Sequence, residues 1–345
     1  CQEKGITPQH SSTVFKELYK NSNNKPWTGH QVPKVLQKIL QEDYSFELPA
    51  TAKKESISSY DGTVKFLVEL SDKALVETVL MPERNRITVC LSSQVGCAQA
   101  CSFCHTGRMG LKRQLTAGEI VGQVEMANRW LDAHPEWKQE RGYPAKQKVT
   151  NVVFMGMGEP LDNTDNVVKA LKIMTEPFGL QMARKRLSVS TAGHLDGIKQ
   201  LLKEFPGVAL ALSLHATTER ERTQLMPINR RWNMAEILGY LKDKYESDFK
   251  GETVLVQYTV INKVNDSEEQ ANRLAELLKN MPVKLNLIPF NDVAPSAFNS
   301  PIPERLEAFK TIIHNAGIRV MVRYSKGQDI DAACGQLVTE EQKSE

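Results

Sequence analysis

Val208-Ala209-Leu210-Ala211-Leu212-Ser213-Leu214-His215 begins as an unbroken apolar run and ends on polar residues. A strand with one wet face would alternate. A run without alternation suits a strand of a parallel sheet covered on both faces. Outward from it, strand-like segments recur at 87–92, 150–155, 186–191, 253–261 and 283–289, and a last one lies at 318–323. Segments of helical period follow them at 116–132, 164–175, 195–204, 232–247, 267–280 and 302–316. This alternation predicts an α/β fold. Six β/α units form either a doubly wound sheet or a partial barrel, short of the eight units of a closed one. Ahead of them, Val14, Phe15, Leu18, Tyr19, Val32, Val35, Leu36 and Ile39 predict a small helical region over 12–45. Val64–Val68 and Leu75–Val79, joined at Ser71-Asp72-Lys73, predict a pair of strands.

The chain has 345 residues, 41% hydrophobic and 25% charged, an ordinary globular composition that needs no disulfide scaffold. No apolar run reaches the roughly 18 residues of a membrane helix. The polar stretch Cys1–His10 does not read as a secretory signal, so a cytoplasmic protein is expected. The net charge of 44 − 41 = +3 permits an RNA partner without demanding one.

Parallel β/α folds place their sites at the carboxyl ends of strands. Cys97, Cys101 and Cys104 follow the first core strand here, and Gly156-Met157-Gly158-Glu159-Pro160 follows the second. The third ends at Ser190-Thr191, the fourth at Ser213-Leu214-His215 and the sixth at Pro289-Phe290-Asn291. Any one of these reads as turn chemistry; their convergence on one rim points to a polar ligand. The Gly156–Pro160 stretch lacks the third glycine of a dinucleotide fingerprint. Its glycines permit close backbone approach, and Glu159 suits an ammonium group.

Cys97-Ala98-Gln99-Ala100-Cys101-Ser102-Phe103-Cys104 has C-x3-C-x2-C spacing. Three thiolates on one loop suit three irons of a [4Fe–4S] cluster and leave the fourth iron for another ligand. The competing reading is structural zinc, with Cys90 or His105 completing a closed set of four. Phe103, between the second and third thiols, would shield a reducible cluster from water. With the β/α frame, this loop resembles the radical S-adenosylmethionine (SAM) superfamily. That resemblance implies that SAM chelates the open iron. It also implies that Glu159, with Gly158, holds the SAM amino end, and that Ser190, Ser213, Leu214, His215 and Asn291 contact the rest.

A narrower resemblance rests on several stretches. They are Val76-Glu77-Thr78-Val79, Ser92–Cys97, Met155–Leu161, Ser213–Ala216, Met226–Asn229, Val264–Asp266, Asn286–Asn291 and Ala332-Ala333-Cys334-Gly335-Gln336-Leu337. Over roughly residues 25–338 the chain is similar to the RlmN/Cfr family of radical SAM RNA adenine methyltransferases. The Cys334 stretch together with Cys90 is the family-specific part; taken alone, each cysteine reads as an inert buried thiol. Pro160 after Glu159 is similar to the RlmN branch, which methylates C2, rather than the Cfr branch, which methylates C8. His105 and Gln328 depart from the residues common in relatives.

The resemblance implies a radical SAM partial (β/α)6 barrel with a small N-terminal helical domain and a β extension. It divides the chain into residues 1–50 for helical RNA binding, 51–86 for the extension, 87–325 for the core and 326–345 for the segment carrying Cys334 and a polar tail. It implies methylation of adenine C2 in 23S rRNA and also tRNA, with two SAM per turnover and electrons from a small reductant protein such as a flavodoxin. Aromatic C2 is a poor nucleophile, so a radical route replaces direct displacement. In the family a methylated cysteine, here Cys334, carries the methyl; the counterpart of Cys90 resolves the RNA adduct through a transient disulfide; and the counterpart of Glu77 is the base. Read from position alone, Glu77 is a solvated strand carboxylate. Lys112-Arg113, Arg184-Lys185-Arg186, Arg230-Arg231 and Arg323 with Lys326 are candidate phosphate contacts. Residues 1–50 carry six Lys against five Asp and Glu, so RNA recognition there rests on resemblance and not on charge. Two other readings remain: C8 methylation, and a zinc-stabilised RNA-binding module without catalysis.

Overall fold

The structure, a computed structural model, describes residues 9–20, 32–43, 45, 47–292 and 297–337. The polar tail 339–345 lies outside these residues, and so does part of the expected helical region. Within that region, α1 (Gln9–Phe15) runs on into a π turn at Lys16–Lys20, and α2 (Lys34–Asp43) buries Leu36 and Leu40. Val32, Leu36 and Leu40 form a small apolar cluster of their own, separate from the main core.

Among the described residues the main sheet has ten strands. Its first four, β1 (Ala50–Ile57), β2 (Val64–Leu70), β3 (Leu75–Glu83) and β4 (Arg86–Cys90), are an antiparallel meander. From β4 the sheet continues in parallel through β7 (Asn151–Phe154), β8 (Leu187–Thr191), β9 (Ala209–Ser213), β10 (Val254–Val260), β11 (Val283–Pro289) and β12 (Val320–Val322). β1 and β12 are its two edges, so the barrel is open. A separate hairpin of β5 (Gln94–Cys97) and β6 (Gly110–Gln114) flanks the cysteine loop, with the short α3 (His105–Arg108) between its strands. Gly96 in this hairpin has φ +80, and a Cβ there would lie 1.9 Å from the Gly110 carbonyl oxygen, so only glycine lets the two strands close.

The helices covering the sheet carry their own start signals. α4 (Ala117–Ala133) opens on a capping box in which Thr116 and Glu119 each bond the other's backbone N–H. α10 (Glu268–Leu278) repeats the device with Ser267 and Gln270. α8 (Glu219–Leu225) is capped by Thr218 and α9 (Met234–Ser247) by Asn233. α5 (Pro135–Glu140), α6 (Thr164–Met174), α7 (Leu195–Glu204) and α11 (Pro303–Asn315) complete the layer. One continuous apolar cluster runs from Ala50 to Leu337, so the β extension and the Cys334 segment share the core of the β/α units.

Candidate active site

The expected strand ends meet at one rim. Cys97, Cys101, Cys104, Gly158, Glu159, Ser190, Ser213, His215, Asn291 and Cys334 all line a single cleft of about 940 Å³, counting its open mouth. Leu214 is the exception: its side chain is buried in the core, while its N–H donates to the Gln257 carbonyl. Sheet register explains the convergence, because Ser213, Gln257 and Asn286 stand in one row across β9, β10 and β11. The Ser190 hydroxyl donates to Gln257 Oε1 at 3.0 Å.

The cysteine loop is held at both ends. Ser102 N–H donates to the Leu225 carbonyl at 3.0 Å, His105 N–H to the Gly335 carbonyl at 2.9 Å, and Thr106 Oγ1 to the Leu337 carbonyl at 2.7 Å. The loop therefore bridges α8 and the Cys334 segment. Burial pushes all three thiols up, Cys97 to about 12. Metal binding displaces such protons. Among the described residues, no three His, Cys, Asp or Glu side chains converge as on a single ion. The zinc reading thus gains nothing from the geometry, whereas a cubane spreads its thiolates over separate irons.

Glu159 is buried, and burial pushes its carboxyl up to about 7 against hydrogen bonds from the backbone N–H groups of Ala192 (2.7 Å) and Leu161 (3.1 Å). A cationic ligand would offset that burial. Gly158 has φ +100, and a Cβ there would strike the Gln94 side chain, whose Oε1 accepts the Glu159 N–H at 2.7 Å. His215 sits at φ +57, and its Nδ1 accepts the Thr259 N–H at 2.8 Å. The ring hydrogen is therefore on Nε2. Burial takes its pKa down to about 3, so it faces the cleft as a neutral donor, edge-on to Phe103. One buried and two half-buried thiols, a buried carboxylate with no cation beside it among the described residues, and polar strand ends fit a thiolate-held cluster with SAM beside it. The side-chain oxygen of Asn286, in the row of Ser213 and Gln257, has no hydrogen-bond partner among the described residues. It leaves room for one more polar contact.

Cys334 lines a second, smaller cavity as well, with Cys90, Val79, Met155, Arg323 and Lys326. Cys334 is exposed and Cys90 buried, and both are free thiols. Burial first, then the neighbouring Cys334, pushes Cys90 up to about 12, while Arg323 acts the other way. Asn291 ties the two cavities together: its Nδ2 donates to Ser325 Oγ at 2.9 Å and approaches the Cys334 carbonyl at 3.4 Å. Gln328, one of the departures, donates to Asn291 Oδ1 at 3.2 Å.

The solvated reading of Glu77 is corrected. Glu77 is 4% exposed and ion-paired with Lys65 at 3.2 Å. Lys65, Val79 and Cys90 are aligned across β2, β3 and β4, and Glu77 shares their face two residues from Val79. The inert reading of Cys334 is corrected too, since it is exposed. Several candidate phosphate contacts are already occupied. Arg113 is held by Asp72 and Glu119, Arg184 lies over Phe205, and Arg231 lies over Trp232. Arg323 lines the inner cavity, close to Met155 Sδ. Sequence reasoning did not find Lys65 or Arg222, which hold their partners by tertiary contacts without a local signal.

The radical SAM superfamily profile matches residues 136–275, beyond the cysteine loop. A radical SAM methyltransferase from Sphaerobacter thermophilus superimposes with TM-score 0.86 and 37% identity, covering 97% of this chain and 94% of that one. Fold and site together define a radical SAM enzyme. The dual-specificity RNA methyltransferase RlmN of Paracoccus denitrificans is 44% identical over 306 residues, 88% of this chain and 76% of the relative. That of a Jannaschia species is 42% identical over 326 residues, 94% and 81%. The chain belongs to the RlmN family of radical SAM RNA methyltransferases, a family whose chemistry implies SAM and a [4Fe–4S] cluster. Among the described residues no helix is long and apolar enough to cross a membrane.

Proposed function

We propose that this enzyme methylates C2 of an adenine in 23S rRNA, and also in tRNA, by way of a methyl group carried on Cys334. The observation that carries the reading is that Cys334 lines two cavities, one with the three-thiol loop and the other with Cys90. In this reading Cys97, Cys101 and Cys104 hold the cluster. Glu159 and Gly158 receive the SAM amino end, and Ser190, Ser213, Leu214, His215 and Asn291 take the remainder. Bound there, the cluster and SAM would supply a methyl group for Cys334 and the one-electron chemistry that removes a hydrogen from that methyl group. The sulfur-bound carbon joins adenine C2; the adduct gives up one electron to the redox chain that supplied it, and Glu77 accepts the C2 proton, which restores the aromatic ring. Cys90 Sγ, as thiolate, attacks Cys334 Sγ. An S–S bond forms, the S–C bond breaks, its electron pair leaves with carbon, and protonation gives the methyl group. Residues 87–325 form the catalytic core in this account, 326–345 carry Cys334, 51–86 form the extension, and 1–50 assist RNA binding. The enzyme works in the cytoplasm with a small reductant protein such as a flavodoxin.

The test is mass spectrometry of RNA nucleosides after incubation of anaerobically reconstituted enzyme with SAM and a reductant. A base methylated at C2 is the expected product, along with one extra methyl on Cys334 of the isolated protein. A product methylated at C8 would place the chain's activity with the Cfr branch. Unmodified RNA with a persistently unmethylated Cys334 would refute the scheme.

A further inference from the structure

Arg222, on α8, is the largest side chain fully withdrawn from solvent, with 0% exposure. Among the described residues it forms no ion pair. Its nearest acidic neighbour, Glu219, is reached through Asn229, which accepts from Arg222 at 2.8 Å and donates to Glu219 at 2.8 Å. A buried cation without a paired anion is destabilising unless its donors are all used and a negative group completes the site. The donors are used on the rim. Nε donates to the Leu214 carbonyl at 3.2 Å, and one terminal nitrogen donates to the carbonyls of Ala192 at 2.5 Å and Ser213 at 3.1 Å. Ala192 is the residue whose N–H orients Glu159. The same helix seats the cysteine loop through the Ser102-to-Leu225 bond. Cys101 lies within electrostatic reach of the guanidinium.

We infer that Arg222 is a positioning residue for SAM: from beneath the cleft it fixes the ends of β8 and β9 that receive SAM, and it sets a positive charge on the helix that seats the cysteine loop. The inference rests on the SAM and cluster assignments above and deepens them. A planar fork suits this task, because one lysine ammonium cannot span three carbonyls in those directions.

The test uses anaerobically reconstituted holoenzyme, with SAM binding measured calorimetrically and the cluster midpoint potential by titration. Arg222→Met is expected to weaken SAM binding by about tenfold or more, the loss expected from roughly one or two hydrogen bonds, and to move the midpoint to a more negative value. Arg222→Lys keeps the charge, so its midpoint should stay near that of the parent while its SAM affinity still falls. A folded variant of either kind with the parent's SAM affinity overturns the inference. If Arg222→Met does not fold, Arg222→Lys decides alone on affinity. A parent enzyme that holds no iron and sulfide, or binds no SAM, would instead sink the underlying site assignment.

Discussion

Cys90 poses a chemical problem at the scale of one residue. Its thiol is pushed up to about 12 by burial, yet only the thiolate attacks sulfur. Near pH 7.5 the ionised fraction is roughly one part in 10⁴ to 10⁵. Resolution of an RNA adduct should therefore accelerate with pH, close to tenfold per unit below 12, as followed by quench and gel analysis of the adduct. A flat profile between pH 7 and 9 would mean that another step limits the reaction or that Cys90 is not the nucleophile. Cys90→Ala should accumulate the covalent RNA–protein adduct, and normal turnover by that variant would remove its resolving role. Cys334→Ala should abolish methyl transfer while the brown absorbance of the cluster persists. Single replacements of Cys97, Cys101 or Cys104 should remove that absorbance.

At the scale of elements, α4 carries another buried acid. Glu125 is 6% exposed, and desolvation raises its pKa to about 7 against the pull of Arg129 and Lys148. A carboxyl whose pKa is higher in the folded chain binds more protons there than in the unfolded chain. Its contribution to stability is thus greatest below about pH 4.5 and declines as pH rises through about 7. Glu125→Gln should flatten that slope and stabilise the protein above pH 7 by about 1–3 kcal/mol, read from melts at pH 5 and pH 8. A variant with the parent's slope would mean that Glu125 is solvated. The same scale shows what the sequence made legible. The core strands and helices were readable within a few residues because their apolar runs are long and their caps explicit, as at Thr116 and Ser267. β1 was not, since it is an edge strand whose Lys53, Lys54 and Glu55 face solvent and leave no alternation to read. The β5–β6 hairpin was too short to show a period. The rim residues could be named because they follow strands. Glu77 looked solvated because its cover, Lys65, comes from the neighbouring strand.

For the whole molecule, the question is what holds an exposed cysteine between two cavities. The segment carrying Cys334 is tied at both sides to parts of the chain remote in sequence. On one side the turn between β1 and β2 grips it: Ser59 N–H donates to the Asp329 carboxylate at 3.0 Å, and Gly327 N–H donates to the Asp61 carboxylate at 3.1 Å. Lys65, already paired with Glu77, donates to the Asp331 carbonyl at 3.3 Å. On the other side the cysteine loop holds Gly335 and Leu337. The antiparallel meander thus serves as a mount for the sulfur. Asp61 and Asp329 both have pKa values below the usual carboxylate range: hydrogen bonds hold Asp61 there against its partial burial, and hydrogen bonds from Ser58 and Ser59 hold the exposed Asp329 there. The grip is therefore intact at neutral pH and is lost only as pH falls through those lowered values. Asp61→Ala with Asp329→Ala should speed amide exchange across 327–337 by roughly tenfold or more, while β8 to β11 keep their protection. Methyl transfer should fall in the same variant with SAM affinity unchanged, because no SAM contact has been touched. Parental exchange rates in 327–337 would show that the core alone anchors the segment and that the meander is not its mount.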